Sequence, residues 1–70
     1  TPTAVGFQIV EILAALLRCQ SDTGDPDLRT SFDPVIGRCR EMLDTLVSQE
    51  TDMQAGGFRL YKARILGDSL

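Results

Sequence analysis

Residues Ala4 to Leu17 read AVGFQIVEILAALL, and the way this run folds decides the rest. Wound as an α-helix at about 100° per residue, it gathers Gln8, Glu11 and Arg18 into a wedge of roughly 80°, with Ala4 and Ala15 inside it. Val5, Phe7, Ile9, Val10, Ile12, Leu13, Leu16 and Leu17 spread over the remaining arc, on the order of 220°. An ordinary surface helix carries an apolar stripe of about 100°. This helix therefore needs neighbours on several sides, and a chain of 70 residues has few to offer.

Working outward, Thr1 or Thr3 can cap the helix, and Pro2 suits its first turn. Gly6 costs about 1 kcal/mol relative to Ala and points into the apolar arc. It is either simply tolerated there or admits a close neighbour. The helix is expected to end near Cys19 or Gln20. Ser21 to Ser31, SDTGDPDLRTS, reads as a loop rich in Asp, Ser, Thr, Gly and Pro. Asp22, Asp25 and Asp27 do not match a calcium loop: Gly24 is misplaced, Pro26 intrudes and no Glu closes the set.

Asp33-Pro34 is the expected start of a second helix, with Asp33 as cap and Pro34 at the first helical position. Val35, Ile36, Cys39, Met42, Leu43, Leu46 and Val47 then form a clean helical stripe. Arg38, Glu41, Asp44, Thr45 and Ser48 fall on the opposite face. The pairs Arg38–Glu41 and Arg40–Asp44 are spaced for helical ion pairs, each worth only about 0.2–0.5 kcal/mol.

A third helix is expected from Thr51 to about Leu66, weakened by Gly56-Gly57. Phe58, Tyr61 and Ile65 make a helical stripe. Phe58 and Leu60 also begin a strand-like alternation, which Lys62 and Arg64 interrupt, so helix is preferred. Gly67 is well placed as a terminal cap.

Composition narrows the function. The chain has 7 basic and 10 acidic residues, a net charge of -3, no His and two cysteines. Without His the commonest general base is missing, and two cysteines alone cannot hold a structural zinc. No glycine run matches a phosphate-binding loop. The carboxylates fall in caps, loops and solvated faces. No enzyme activity, cofactor or metal is expected. Cys19 and Cys39 are expected as reduced core thiols, with a Cys19–Cys39 bridge as the alternative. Two cysteines are also sparse for a secreted scaffold, which favours a cytoplasmic or nuclear setting.

Membrane insertion is not expected: the apolar run has 14 residues and contains Gln8 and Glu11, against a requirement of roughly 20 apolar residues. Arg18 follows the run where a signal peptide would have a small-residue cleavage site. A first residue of Thr1 suggests a processed protein or a domain excised from a longer chain.

The expected fold is all-α: one domain, a small bundle of three helices or four, near 3–20, 33–48 and 51–66, completed by dimerisation. The expected function is a protein–protein interaction or oligomerisation module of regulatory type. Most simply it is a homodimer using Val5, Ile9, Ile12, Leu13, Leu16 and Leu17, shared between core and interface. Three rival readings remain. One is a groove between the first two helices that receives an amphipathic helix of another protein. Another is a weak nucleic-acid contact through Arg59, Lys62 and Arg64. The last is an apolar-ligand cavity lined by Phe7, Phe58 and Tyr61.

Overall fold

The computed structural model describes residues 1–67. They form three α-helices: α1 Pro2–Asp22, α2 Pro26–Gln49 and α3 Gly56–Leu66. A short 3-10 turn, Thr51–Gln54, lies between α2 and α3. No strand occurs among the described residues, and 58–66 is helical.

The cap of α1 is Thr1, whose hydroxyl oxygen accepts from the Ala4 N–H at 3.2 Å. The helix continues past the apolar run to Asp22, and the Thr23 N–H donates to the Cys19 carbonyl at its end.

The expected loop over 21–31 does not exist. Only Thr23, Gly24 and Asp25 separate α1 from α2. The chain contains two Asp-Pro pairs, and the earlier one starts the helix. Asp25 accepts from the Asp27 N–H at 3.0 Å, and Pro26 occupies the first helical position, where a missing N–H costs nothing. The later pair lies inside α2. Asp33 is not a cap: its carboxylate accepts from the Gln20 side-chain amide at 2.6 Å. The same amide donates to the Arg29 carbonyl at 2.9 Å, and the Arg29 guanidinium donates to the Thr23 carbonyl at 2.6 Å. These bonds hold the turn of a tight α1–α2 hairpin.

Pro34 sits in the body of α2. It cannot donate to the Thr30 carbonyl four residues back. Both residues are exposed, so water can serve that carbonyl and the loss is tolerated.

The third helix is shorter than expected. Thr51–Gln54 winds as a 3-10 turn, and Ala55 is extended with φ -66 and ψ 152. Gly56-Gly57 opens α3 rather than interrupting it. Gly67, at φ 72, provides the left-handed cap.

The main core joins all four segments. Val10 of α1, Leu43 of α2, Met53 of the 3-10 turn and Phe58 of α3 are buried together. Phe7, Ile9, Leu46, Val47, Tyr61 and Leu66 pack around them. Phe7 meets Phe58 edge-on at 5.2 Å between ring centres and Tyr61 at 4.8 Å. These three rings pack on one another, and none of them lines the groove between α1 and α2. Further along the hairpin, Leu13 and Ile36 are buried.

Gly6 is buried where α1 meets the C-terminal segment. A Cβ on Gly6 would overlap the Met53 methyl and stand 3.2 Å from two Phe58 ring carbons. The glycine thus admits a close neighbour, and that neighbour is a pair of side chains.

The molecule measures 40 × 19 × 18 Å. The long axis is that of the hairpin, since 24 helical residues span about 36 Å. The 11 residues of α3 span about 16 Å. α3 therefore covers less than half the length of one hairpin face.

Two predictions follow from this packing. Gly6→Ala gains about 1 kcal/mol of helix propensity but overfills a core site, which costs about 1–3 kcal/mol. It is expected to lower the urea midpoint, whereas Gly37→Ala, with nothing within 4 Å of its added Cβ, is expected to raise it. Pro34→Ala is expected to stabilise by about 2 kcal/mol. Removing an interior proline returns roughly 3 kcal/mol, less about 1 for the freer unfolded chain. Thermal melts of the three variants check both.

Candidate interaction surface

The six apolar residues singled out in the first helix divide into three groups. Leu13 is fully buried within the single chain. Ile9 packs against the main core and is half-buried, as are Leu16 and Leu17. Val5 and Ile12 stand in solvent, 46% and 54% exposed. The arc of α1 is thus only partly covered by its own chain.

The uncovered part has a regular spacing. Val5, Ile9, Ile12, Leu16 and Cys19 alternate at four and three residues along α1. On α2 the run Leu28, Phe32, Val35, Cys39, Met42, Leu46 and Gln49 alternates in the same way. A mean step of 3.5 residues keeps each row on one side of its helix and is the pattern of a coiled-coil seam. Leu28, Val35 and Met42 are each about half exposed. These three are the interface candidates that sequence reasoning missed. Leu28 falls in the expected loop over 21–31 and Phe32 just before the expected second helix, whereas Val35 and Met42 belong to the expected stripe of that helix. The four–three spacing from Leu28 to Leu46 is the signal that could have found them.

Both rows open onto one face of the hairpin. A groove of about 450 Å³ lies between them, walled by Val5 and Ile9 of α1 and by Arg38, Glu41, Met42, Thr45, Leu46 and Gln49 of α2. By helical phase this face lies opposite the one where α3 packs, because Val5 and Ile12 point roughly 120° or more away from Val10. The hairpin therefore has two apolar faces: α3 partly covers one, and the other is open.

Among the described residues, the charged walls of the groove are Arg38 and Glu41. Among the described residues neither has an ion-pair partner. Asp44 lies 4.0 Å from the Lys62 ammonium of α3.

The basic trio of α3 does not form one patch. Lys62 is half-buried beside Asp44, whereas Arg59 and Arg64 are exposed. Helical phase separates Arg64 from Lys62 by roughly 160°.

Cys19 is exposed, against the expectation of a core thiol, and Cys39 is half-buried; both are free. Among the described residues no polar or charged side chain is buried. None of their His, Cys, Asp and Glu side chains group as three that could hold a metal.

α1 is longer than the apolar run of 14 residues on which a membrane span is not expected. α1 has 21 residues, a mean hydropathy of 1.4 over its most apolar window, and 17% of that window buried. It is long and apolar enough to cross a bilayer by length and composition. Against that reading stand the exposed Gln8, Glu11 and Arg18 on one side of the helix, and the fit of Gly6, Val10 and Leu13 into a core shared with α2 and α3.

Comparison of the chain with protein-family models, with curated proteins and with solved structures found no match.

The division of α1 into core and open face can be measured. Leu13→Ala is expected to cost about 2–5 kcal/mol at any protein concentration, as core truncations do. Ile12→Ala is expected to cost less than about 1 kcal/mol in dilute solution. Urea unfolding of both variants over a dilution series separates the two.

Proposed function

We propose that the chain is a non-enzymatic self-association module: two copies pack their open α1–α2 faces together into a four-helix core, with α3 on the outside of each. The observation that carries this reading is the open apolar face itself. Two adjacent antiparallel helices present seams of coiled-coil spacing, and within them Val5, Ile12, Leu28, Val35 and Met42 are left about half exposed by the described chain.

The physical case is direct. A helical hairpin with seams of 3.5-residue period is half of a four-helix bundle. Closing the bundle removes Val5, Ile12, Val35 and Met42 from water in both copies. Covering one such half-exposed side chain is worth about 1 kcal/mol. A two-fold contact uses the same patch twice, so each copy supplies what the other lacks. A chain of this size gains much from such help, because small domains bury only about 60% of their unfolded surface.

A second occupant of the same face is an amphipathic helix from another protein, laid in the groove between α1 and α2. The specific support for it is the groove at the Val5–Met42 end. The two-copy reading is preferred because the open face runs the length of the hairpin, well beyond that groove.

Sedimentation equilibrium tests the proposal. At tens of micromolar the expected mass is twice the 7.7 kDa of the chain. Ile12→Glu is expected to raise the dissociation constant at least about a hundredfold, since each copy would bury an unpaired charge, while far-ultraviolet circular dichroism stays helical. A helical monomer at that concentration overturns self-association and leaves the face to another protein. Recovery of the chain with lipid vesicles rather than as a soluble dimer would assign α1 to the membrane.

A further inference from the structure

We infer that the second copy docks lengthwise: the two-fold axis runs along the hairpin, so that α1 of each copy lies against α2 of its partner and each level of one meets the same level of the other. The inference rests on the self-association proposed above and adds the order of the four helices.

Two copies packed face to face about a two-fold axis have two choices. An axis along the hairpin sets α1 on the partner's α2. An axis across the hairpin sets α1 on the partner's α1 and α2 on the partner's α2. The two arrangements differ in which side chains face each other.

The levels of the hairpin are fixed at both ends. At the turn, Gln20 donates to the Arg29 carbonyl and to Asp33. At the far end, Val5 and Ile9 share the groove with Met42 and Leu46. With one helical rise per residue between these points, Val5 stands level with Leu46, Ile12 with Cys39, Leu16 with Val35 and Cys19 with Phe32. A lengthwise axis keeps those levels across the contact. Val5 then faces the partner's Leu46, Ile12 the partner's Cys39, Leu16 the partner's Val35 and Cys19 the partner's Phe32. In each case a smaller side chain meets a larger one, which lets the layers interdigitate. An axis across the middle of the hairpin instead sets Leu28 on the partner's Leu46, Phe32 on the partner's Met42 and Val35 on the partner's Cys39. That is large on large and small on small.

The outer edges of the face separate the two more sharply. One residue before Ile9 and Leu16 in α1 stand Gln8 and Ala15; one before Cys39 and Leu46 in α2 stand Arg38 and Thr45. All four are exposed. Lengthwise docking sets Gln8 beside the partner's Thr45 and Arg38 beside the partner's Ala15, so no like charges face each other. An axis across the middle makes Arg38 its own mate, and two guanidinium groups meet at the axis, which costs affinity. Sliding that crossed pair by two turns, about 10 Å, separates the arginines. It also carries one end of the face past the partner, leaving either Leu28 or the Met42–Leu46 end without a facing helix. Glu11 and Arg18 of α1 and Glu41 of α2 lie roughly 60° further round their helices than this edge, so none of them stands opposite a partner residue in either arrangement.

Thiol cross-linking tests the geometry. In a Cys19→Ala, Cys39→Ala background, Gln8→Cys is combined with Thr45→Cys. Within one chain these positions lie on opposite edges of the hairpin, roughly 15 Å apart and far beyond disulfide reach, so a disulfide between them must join copies. Diamide takes up the two protons and two electrons released as two thiols join. It is expected to shift most of this protein to twice the chain mass on a non-reducing gel. Arg38→Cys alone in the same background is expected to stay at the single-chain mass, because lengthwise docking puts the two copies of that position on opposite edges of the bundle. Sedimentation equilibrium before oxidation establishes that each variant is a dimer.

Cross-linking of the Arg38→Cys protein, with or without that of the other, would overturn the inference in favour of α2 on α2. Absence of both cross-links in dimeric proteins would also overturn it, while self-association would stand. A monomeric mass for the unmodified chain would instead remove the reading on which the inference rests.

Discussion

The contact between Gly6 and the pair Met53–Phe58 determines which side of the hairpin the third helix takes. Only at Gly6 is α1 bare enough to receive both side chains, and a single added methyl group would collide with them. Once Met53 and Phe58 are seated there, Phe7 and Tyr61 stack beside them, and α3 is committed to the Phe7–Val10 side. The opposite side of α1, with Val5 and Ile12, then has no further chain among the described residues to cover it. Core and open face are two consequences of one close approach.

The hairpin beneath this contact is organised differently at its two ends. Near the turn, hydrogen bonds from Gln20 and Arg29 tie α1 to α2. At the far end the hold is apolar, through Val10, Leu43, Met53 and Phe58. Leu13 and Ile36 carry burial between the two. The single-chain core is small: six hydrophobic side chains are buried among the described residues, so folding and association are expected to reinforce each other. Anything that binds the folded chain stabilises it by mass action, and a second copy does so in proportion to its own concentration.

Much of this is legible in the sequence, for physical reasons. The wide apolar arc of α1 follows from residue identity and a fixed helical step, and the exposure of Val5 and Ile12 is what remains of it after one face is used. The helical reading of 58–66 and the Gly67 cap are legible for the same reason: local spacing and local backbone preference decide them. The extent of α2 is not. Asp25-Pro26 and Asp33-Pro34 offer equivalent caps eight residues apart, and the choice depends on tertiary bonds from Gln20 that no local pattern contains. Placing the start too late conceals Leu28 and Phe32 and with them the seam on α2. The same dependence on distant residues hides the meaning of Gly6, whose partners lie some fifty positions away. Charge spacing along α2 likewise gives no sign of the contact between Asp44 and Lys62 of α3.

The central claim is that the Val5–Ile12 and Val35–Met42 face is covered by a second copy. Isotope-filtered nuclear Overhauser spectroscopy, on an equal mixture of labelled and unlabelled chains, tests it most directly. The account predicts intermolecular contacts from the methyl groups of Val5, Ile12, Val35 and Met42, and none from Val10 or Met53, which belong to the interior of one chain. Intermolecular contacts confined to Leu60 and Ile65 of α3, or an absence of any, would contradict it.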